Sequence, residues 1–288
     1  MKQILMSLFF PLVVLIASCN QSGDGKTDVT DSTANQKTTL QIKGSDTMLP
    51  MIQKEAENFK GGAVSVTGGG SGVGIQAMEM GQTDICMASR DLKDDEKIKL
   101  DSMGKKVTTT IVGYDALSII VNPLNKVSKL TKEQLKDIFT GKITNWKQVG
   151  GKDMKIVVIS RESSSGTYEY FKEKVMDKMD YTKDALMKPS TGAIDETVGQ
   201  TEGAIGYVGL AYLTEGKNIK AIDVSWDGGK TFVTPSIVTA MDKTYPISRP
   251  LFLMYDNTLA ATVTPFVNYV LSAEGQAIVK EIGYIPLQ

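Results

Sequence analysis

Lys155-Ile156-Val157-Val158-Ile159-Ser160-Arg161-Glu162-Ser163-Ser164-Ser165-Gly166-Thr167 decides how this chain folds. Residues 155–160 are apolar enough for a buried strand. Tyr168, Phe171, Val175 and Met179 then fall on one face of a helix. Between them lies a turn of hydroxyls and one glycine. The first N–H groups of a helix lack internal partners and sit at the positive end of its dipole. Ser165 and Thr167 add hydroxyl donors, Gly166 permits close approach to the backbone, and Arg161 supplies a planar fork of donors. A strand, such a turn and a helix together can hold an oxyanion. Taken alone, the stretch is equally compatible with a Ser-capped helix beside a surface arginine.

Three similar turns upstream tip the balance. Gly44-Ser45-Asp46-Thr47 follows the short strand 40–43 and precedes a helix carrying Met48, Ile52, Ala56 and Phe59, with Pro50 in its first turn. Gly68-Gly69-Gly70-Ser71-Gly72-Val73-Gly74 follows the strand 63–66 and leads into a helix through Met80. No Gly-Lys-Ser/Thr closes it, so it is not the phosphate loop of nucleotide-hydrolysing enzymes. Ala88-Ser89-Arg90-Asp91 follows a strand containing Cys86 and precedes the charged helix 94–103. Arg90 could also serve only a surface carboxylate.

Val107 to Val121 is too long for one ordinary strand. It reads as a strand crossing between two lobes and bending near Gly113, with 250–255 as the return crossing. Thr131 and Gln134 make a capping box for the helix 132–140, which Gly141 stops. Residues 220–224 and 232–238 read as a strand pair around Asp227-Gly228-Gly229, and 264–282 as a single last helix. Alternating strands and helices predict an α/β fold with mostly parallel sheets, whose ligands bind beyond the carboxyl ends of strands. The predicted lobes are 39–113 with 248–288, and 114–247. Three oxyanion turns fall in the first and one in the second, so a cleft that closes on its ligand unites them.

The 288 residues carry a net charge of -1, which gives no general attraction to nucleic acid or anionic membrane. No histidine is present, which removes Ser-His-Asp and Cys-His nucleophile schemes and the commonest metal ligand. The two cysteines, Cys19 and Cys86, have no zinc spacing, and Cys86 reads as a small buried hydrophobe. No metal or cofactor is expected. Residues 1–18 read as a signal peptide, with a charged start and an apolar run too short for a membrane span. Residues 19–38 are polar and read as a flexible tether.

Two resemblances extend this reading. Ile16-Ala17-Ser18-Cys19 resembles the lipobox of bacterial lipoproteins, which implies cleavage before Cys19, its lipidation and a membrane anchor. A standard signal peptide with an incidental cysteine is the alternative. Residues 40–288 resemble the periplasmic phosphate-binding proteins of Pst-type ABC transporters. The resemblance rests on Gly44-Ser45-Asp46-Thr47, Gly69-Gly70-Ser71-Gly72, Ala88-Ser89-Arg90, Lys142-Ile143-Thr144-Asn145-Trp146, Arg161-x-x-x-Ser165-Gly166-Thr167 and Glu202-Gly203-Ala204-Ile205-Gly206-Tyr207. It implies the type II periplasmic-binding-protein fold, two α/β lobes with a ligand cleft between them. It also implies that Ser45, Thr47, Ser71 with the N–H groups near Gly72, Ser165, Gly166 and Thr167 donate to phosphate, while Arg161 makes the charged pair. In the best-known members of that family an aspartate near the position of Ser89 and Arg90 accepts the proton of hydrogen phosphate and repels sulfate. Here Arg90 stands there, so Asp46 is expected either to take the acceptor role or to pair with Arg90; an N-cap is its plainer role.

The function expected from this resemblance is capture of inorganic phosphate outside the cytoplasmic membrane and delivery to an ABC transporter permease and ATPase complex. The chain is expected to be a monomer, held in the cell envelope through Cys19. Sulfate, molybdate and tungstate are the alternative ligands, and phosphate sensing is the alternative role. An enzyme acting on phosphate esters fits less well, because no base accompanies Ser163 to Ser165. Micromolar affinity needs about 8 kcal/mol, and one charge-assisted hydrogen bond contributes about 1.5–3 kcal/mol, so a handful of donors suffices.

Overall fold

The computed structural model describes residues 39–213 and 218–287. The expected signal peptide, tether and lipidated Cys19 lie outside the described residues. In the first part of the chain come β1 (Leu40–Gly44), α1 (Leu49–Asn58), β2 (Val64–Thr67), α2 (Ser71–Glu79), β3 (Ile85–Ala88), α3 (Asp94–Ser102) and β4 (Val107–Val121). The middle holds β5 (Lys129–Thr131), α4 (Lys132–Phe139), β6 (Val157–Arg161), α5 (Gly166–Lys174), β7 (Leu186–Lys188), α6 (Thr191–Gln200) and β8 (Ala204–Gly209). Then follow β9 (Lys220–Ala221), β10 (Asp223–Ser225), α7 (Ile237–Met241), β11 (Ser248–Asp256), α8 (Ala260–Leu271) and α9 (Ala273–Glu281).

The main sheet runs β2-β1-β3-β11-β4-β8-β6-β7, with β9 also on β4. Its two ends are parallel: β1 pairs with β2 and β3, and β6 with β7 and β8. Its middle is antiparallel, because β4 and β11 run against each other and against β8 and β3. The expected parallel sheets are therefore two separate parallel ends joined through a crossing pair. β4 bends where Leu251 faces Gly113 and Phe252 faces Ile111, leaving Val112 as the extra residue of a bulge.

Two large cores lie on either side of that crossing. Ile42, Met51, Ile85, Leu253, Phe266 and Tyr284 belong to one, and Leu117, Phe139, Trp146, Phe171, Tyr181 and Tyr207 to the other. Trp146 is wholly buried and donates from Nε1 to the Gly203 carbonyl at 2.9 Å, so two of the sequence motifs pack on each other. The capping box of α4 forms as expected, with Thr131 Oγ1 accepting from Gln134 N and Gln134 Oε1 from Thr131 N.

Three expectations are corrected. The last helix is two helices, because Ser272 is extended (φ -69°, ψ 166°), ends α8 and caps α9 through Gly275 N. Residues 232–238 form no strand: Asp227 Oδ1 accepts from Ser225 Oγ, Lys230 N and Thr231 N, and only Val224 bridges to Val233. Side-chain bonds of this kind compete with a ladder, and β10 pairs instead with β5, in parallel. Finally, α5 ends at Lys174, and Asp177 and Lys178 take φ of 50° and 66°. Met179 is consequently exposed rather than packed on the helix face.

Candidate anion-binding site

Four turns meet at the carboxyl ends of parallel strands. β1 delivers Ser45, Asp46 and Thr47, β2 leads to Ser71, β3 to Ser89, and β6 to Arg161 and Ser165 to Thr167. Ser45 is fixed by its N–H on the Met87 carbonyl at 2.8 Å. Ser71 opens α2, and Ser165 caps α5 by accepting from Thr167 N and Tyr168 N. The hydroxyl-bearing residues Ser45, Thr47, Ser71, Ser89, Ser165 and Thr167 are each no more than 3% exposed, so their donors act in a water-poor environment.

These hydroxyls touch. Ser45 Oγ donates to Ser89 Oγ at 3.0 Å, and Ser71 Oγ lies 3.3 Å from Ser89 Oγ. Thr47 Oγ1 and Thr167 Oγ1, from the turns after β1 and β6, are 2.8 Å apart. Ser89 N donates to Ser71 Oγ at 3.0 Å, which occupies a lone pair and leaves that hydroxyl's hydrogen free to donate. Gly166 is wedged against the cluster: a Cβ there would stand 2.3 Å from Ser71 Oγ and 2.9 Å from Ser89 Oγ. Gly70, with φ 102°, holds the other side of the same approach, close to the Ser164 carbonyl. Gly72 N donates to that carbonyl at 2.9 Å, so this N–H joins the two halves rather than serving the cluster.

Arg161 is 2% exposed. Its Nε donates to the Lys188 carbonyl at 3.3 Å and Nη1 to Thr191 Oγ1 at 3.0 Å, while Nη2 donates to Asp46 Oδ2 at 2.5 Å and the Pro189 carbonyl at 2.9 Å. A guanidinium has five N–H donors; these bonds use one on Nε, one on Nη1 and two on Nη2, which leaves one Nη1 hydrogen. Tyr207 Oη, 2.7 Å from Ser160 Oγ and 2.9 Å from Tyr181 Oη, props the end of β6 from below.

Asp46 therefore pairs with Arg161, and its Oδ1 accepts from Gly69 N at 3.2 Å. The expected pairing with Arg90 is not made, and the cap of the 3-10 turn is Ser45 rather than Asp46. Arg90 lies beside the site, but its fork goes to Glu96 at 2.6 and 2.7 Å and to the Asp91 carbonyl at 2.8 Å. Burial works against ionisation of Glu96, yet Arg90 and the Lys93 N–H hold its carboxyl below the usual range. Arg90 is thus charge-paired with α3, while its Nε is buried with no hydrogen-bond partner among the described residues.

A second buried pair lies outside the residues that the sequence motifs mark. Arg249 Nη2 donates to Asp115 Oδ2 at 3.0 Å and to Thr167 Oγ1 at 2.9 Å. Burial pushes the Asp115 carboxyl up, with Arg249 and the N–H groups of Leu210 and Ala116 acting against it. The available signal was Asp115 inside the stretch 107–121 and Arg249 directly before the stretch 250–255, the two that read as crossing strands. Among the described residues, no group of three or more His, Cys, Asp or Glu could hold a metal ion. Chemically, the arrangement can clamp a tetrahedral oxyanion by hydroxyl and guanidinium donors.

Comparison with known proteins agrees with this geometry. The sequence model of a PBP superfamily domain matches residues 29–274. The phosphate-binding protein PstS of Staphylococcus epidermidis is 35% identical, covering 94% of this chain and 85% of that protein. The PstS protein of Bacillus subtilis is 31% identical, covering 99% and 94%. The crystal structure of a phosphate ABC transporter substrate-binding protein from Clostridium perfringens, with bound phosphate, is 34% identical and superposes with a TM-score of 0.78, covering 87% of this chain and all of that one. The chain belongs to the PBP superfamily and, within it, to the family of the PstS phosphate-binding proteins.

Proposed function

We propose that this chain binds inorganic phosphate between its two lobes and delivers it to an ABC transporter for uptake. It is a substrate-binding transport protein and not an enzyme. The observation that carries the assignment is the meeting of buried hydroxyls from four strand ends with Arg161, under helix N-termini from both sides. The phosphate ligands are Ser45, Thr47, Ser71, Arg161, Ser165, Gly166 and Thr167, with Ser89 shaping the cluster and Gly72 tying the two halves together. Asp46 sets the orientation of Arg161 and is the carboxylate placed to accept the proton of hydrogen phosphate. The lobes divide at 113/114 and 247/248, and the bulge at Val112 serves as part of the hinge, supported by the two cores on either side of the crossing strands.

Phosphate capture takes place outside the cytoplasmic membrane. The lipobox-like run before Cys19 supports a lipid anchor, and a permease with its ATPase is the partner that receives phosphate. The chain works as a monomer. The test is calorimetric titration of residues 39–288, stripped of anion, with phosphate and then sulfate. Phosphate binding that ignores sulfate supports the assignment; no heat with phosphate overturns it.

A further inference from the structure

Arg249 and Asp115 face each other in register on the two crossing strands, β11 and β4. Their side chains are 1% and 0% exposed. Such a buried pair adds little net stability, because desolvation offsets the attraction. This one is costlier still, since Arg249 Nε and Nη1 have no hydrogen-bond partner among the described residues. Packing alone does not account for the choice of arginine. Its placement does: Nη2 donates to Thr167 Oγ1 at 2.9 Å and reaches to 3.5 Å of Thr47 Oγ1. The guanidinium also stacks over the Tyr170 ring at 5.3 Å and borders the cleft shared with Ser89 and Lys93.

A guanidinium can only donate, so Thr167 Oγ1 must accept from it. The hydrogen of Thr167 then has two uses. It goes outward, or it goes to Thr47 Oγ1 at 2.8 Å, in which case the hydrogen of Thr47 goes outward. The Arg249 bond fills a lone pair of Thr167 and turns its hydrogen away from the guanidinium, so either order leaves an O–H of the pair facing away from Arg249, which is what an anion requires. We propose that Arg249, anchored by Asp115, is a positioning residue that presets the Thr47 and Thr167 hydroxyls as donors to phosphate. It links their donor sense, across both lobes, to the crossing strands. Because Asp115 balances its charge, Arg249 supplies orientation without making the site a general anion trap.

This inference rests on the phosphate reading, and the experiment separates the two. The parent chain is titrated first with phosphate; absence of heat there overturns the reading of the site itself. Arg249→Met is then made together with Asp115→Asn, which avoids stranding a buried carboxylate. It is compared with Thr167→Val and with the combination of all three changes, each checked for a cooperative melt. The Met/Asn variant is expected to bind phosphate about ten- to hundredfold more weakly. Thr167→Val is expected to lose a similar factor, and the combination no more than about twofold beyond the weaker of the two. Losses that multiply overturn the inference, since Arg249 then acts independently of Thr167. Unchanged affinity in the Met/Asn variant overturns it too. Should the Met/Asn variant not fold, Arg249→Gln with Asp115→Asn, which keeps an N–H donor, is expected to bind phosphate within about threefold of the parent, and a loss of about tenfold or more there overturns the inference.

Discussion

Asp46 Oδ2 accepts a hydrogen bond from Arg161 Nη2 at 2.5 Å, joining the turn after β1 to the end of β6 across 115 residues of sequence. Both side chains are nearly sequestered, at 11% and 2% exposure. The bond fixes one edge of the guanidinium and places a carboxylate beside the hydroxyl cluster. Removing either partner leaves the other charge buried and uncompensated.

Arg161→Ala should therefore fail twice. Phosphate affinity should fall by about ten- to hundredfold, the scale of a lost charge-assisted bond in a dry site. Apo stability should fall by about 3 kcal/mol, because Asp46 is stranded. Urea unfolding of the apo protein beside calorimetry separates these effects. An Arg161→Ala chain that keeps parental affinity would place the anion elsewhere.

Asp46→Asn should narrow the gap between phosphate and sulfate. The carboxylate repels an anion that has no proton to share, whereas an amide does not. Sulfate should bind more tightly to the variant than to the parent, measured by competition at pH 7. Sulfate rejection that survives the change would mean the hydroxyl geometry alone selects the ligand.

Gly166→Ala should abolish tight binding while leaving the fold intact. The added Cβ falls 2.3 Å from Ser71 Oγ and 2.9 Å from Ser89 Oγ, in the middle of the cluster. Its φ is not left-handed, so the backbone itself tolerates alanine. A normal melting curve with phosphate affinity reduced about a hundredfold or more is the expected result.

Glu55 makes stability depend on pH. Its side chain is wholly buried in α1 with both carboxylate oxygens unpartnered. Burial first, and then the charge of Glu274, raise its pKa from 4.5 to about 8. The folded chain thus holds a proton that the unfolded chain releases between those values. Its contribution favours folding below the unfolded pKa and is lost as pH rises toward 8, by at most about 1.4 kcal/mol per pH unit. Glu55→Gln should remove that slope and raise the melting temperature at pH 8. Identical pH profiles for parent and variant would assign the slope to other groups.

Much of the fold was legible because its signals are local. The apolar run of β4, the capping box of Thr131 and Gln134, and the turns opening α2 and α5 all follow from spacing and cap chemistry within a few residues. Ser272 was missed because the apolar spacing continues through it, while its extended backbone splits the helix. Arg90 reads as a site residue from its neighbours in sequence, whereas α3 folds back to offer it Glu96.

By itself the sequence determined the α/β alternation, the crossing strands and the chemical character of the four turns. Hydrophobic period, glycine and hydroxyl content act on the chain close to where they are written. Tertiary structure alone decided which charge meets which: Asp46 takes Arg161 rather than Arg90, and Asp115 takes Arg249 across 134 residues. Those choices depend on strand order and register, which place distant side chains within about 3 Å of each other. No local pattern carries that distance.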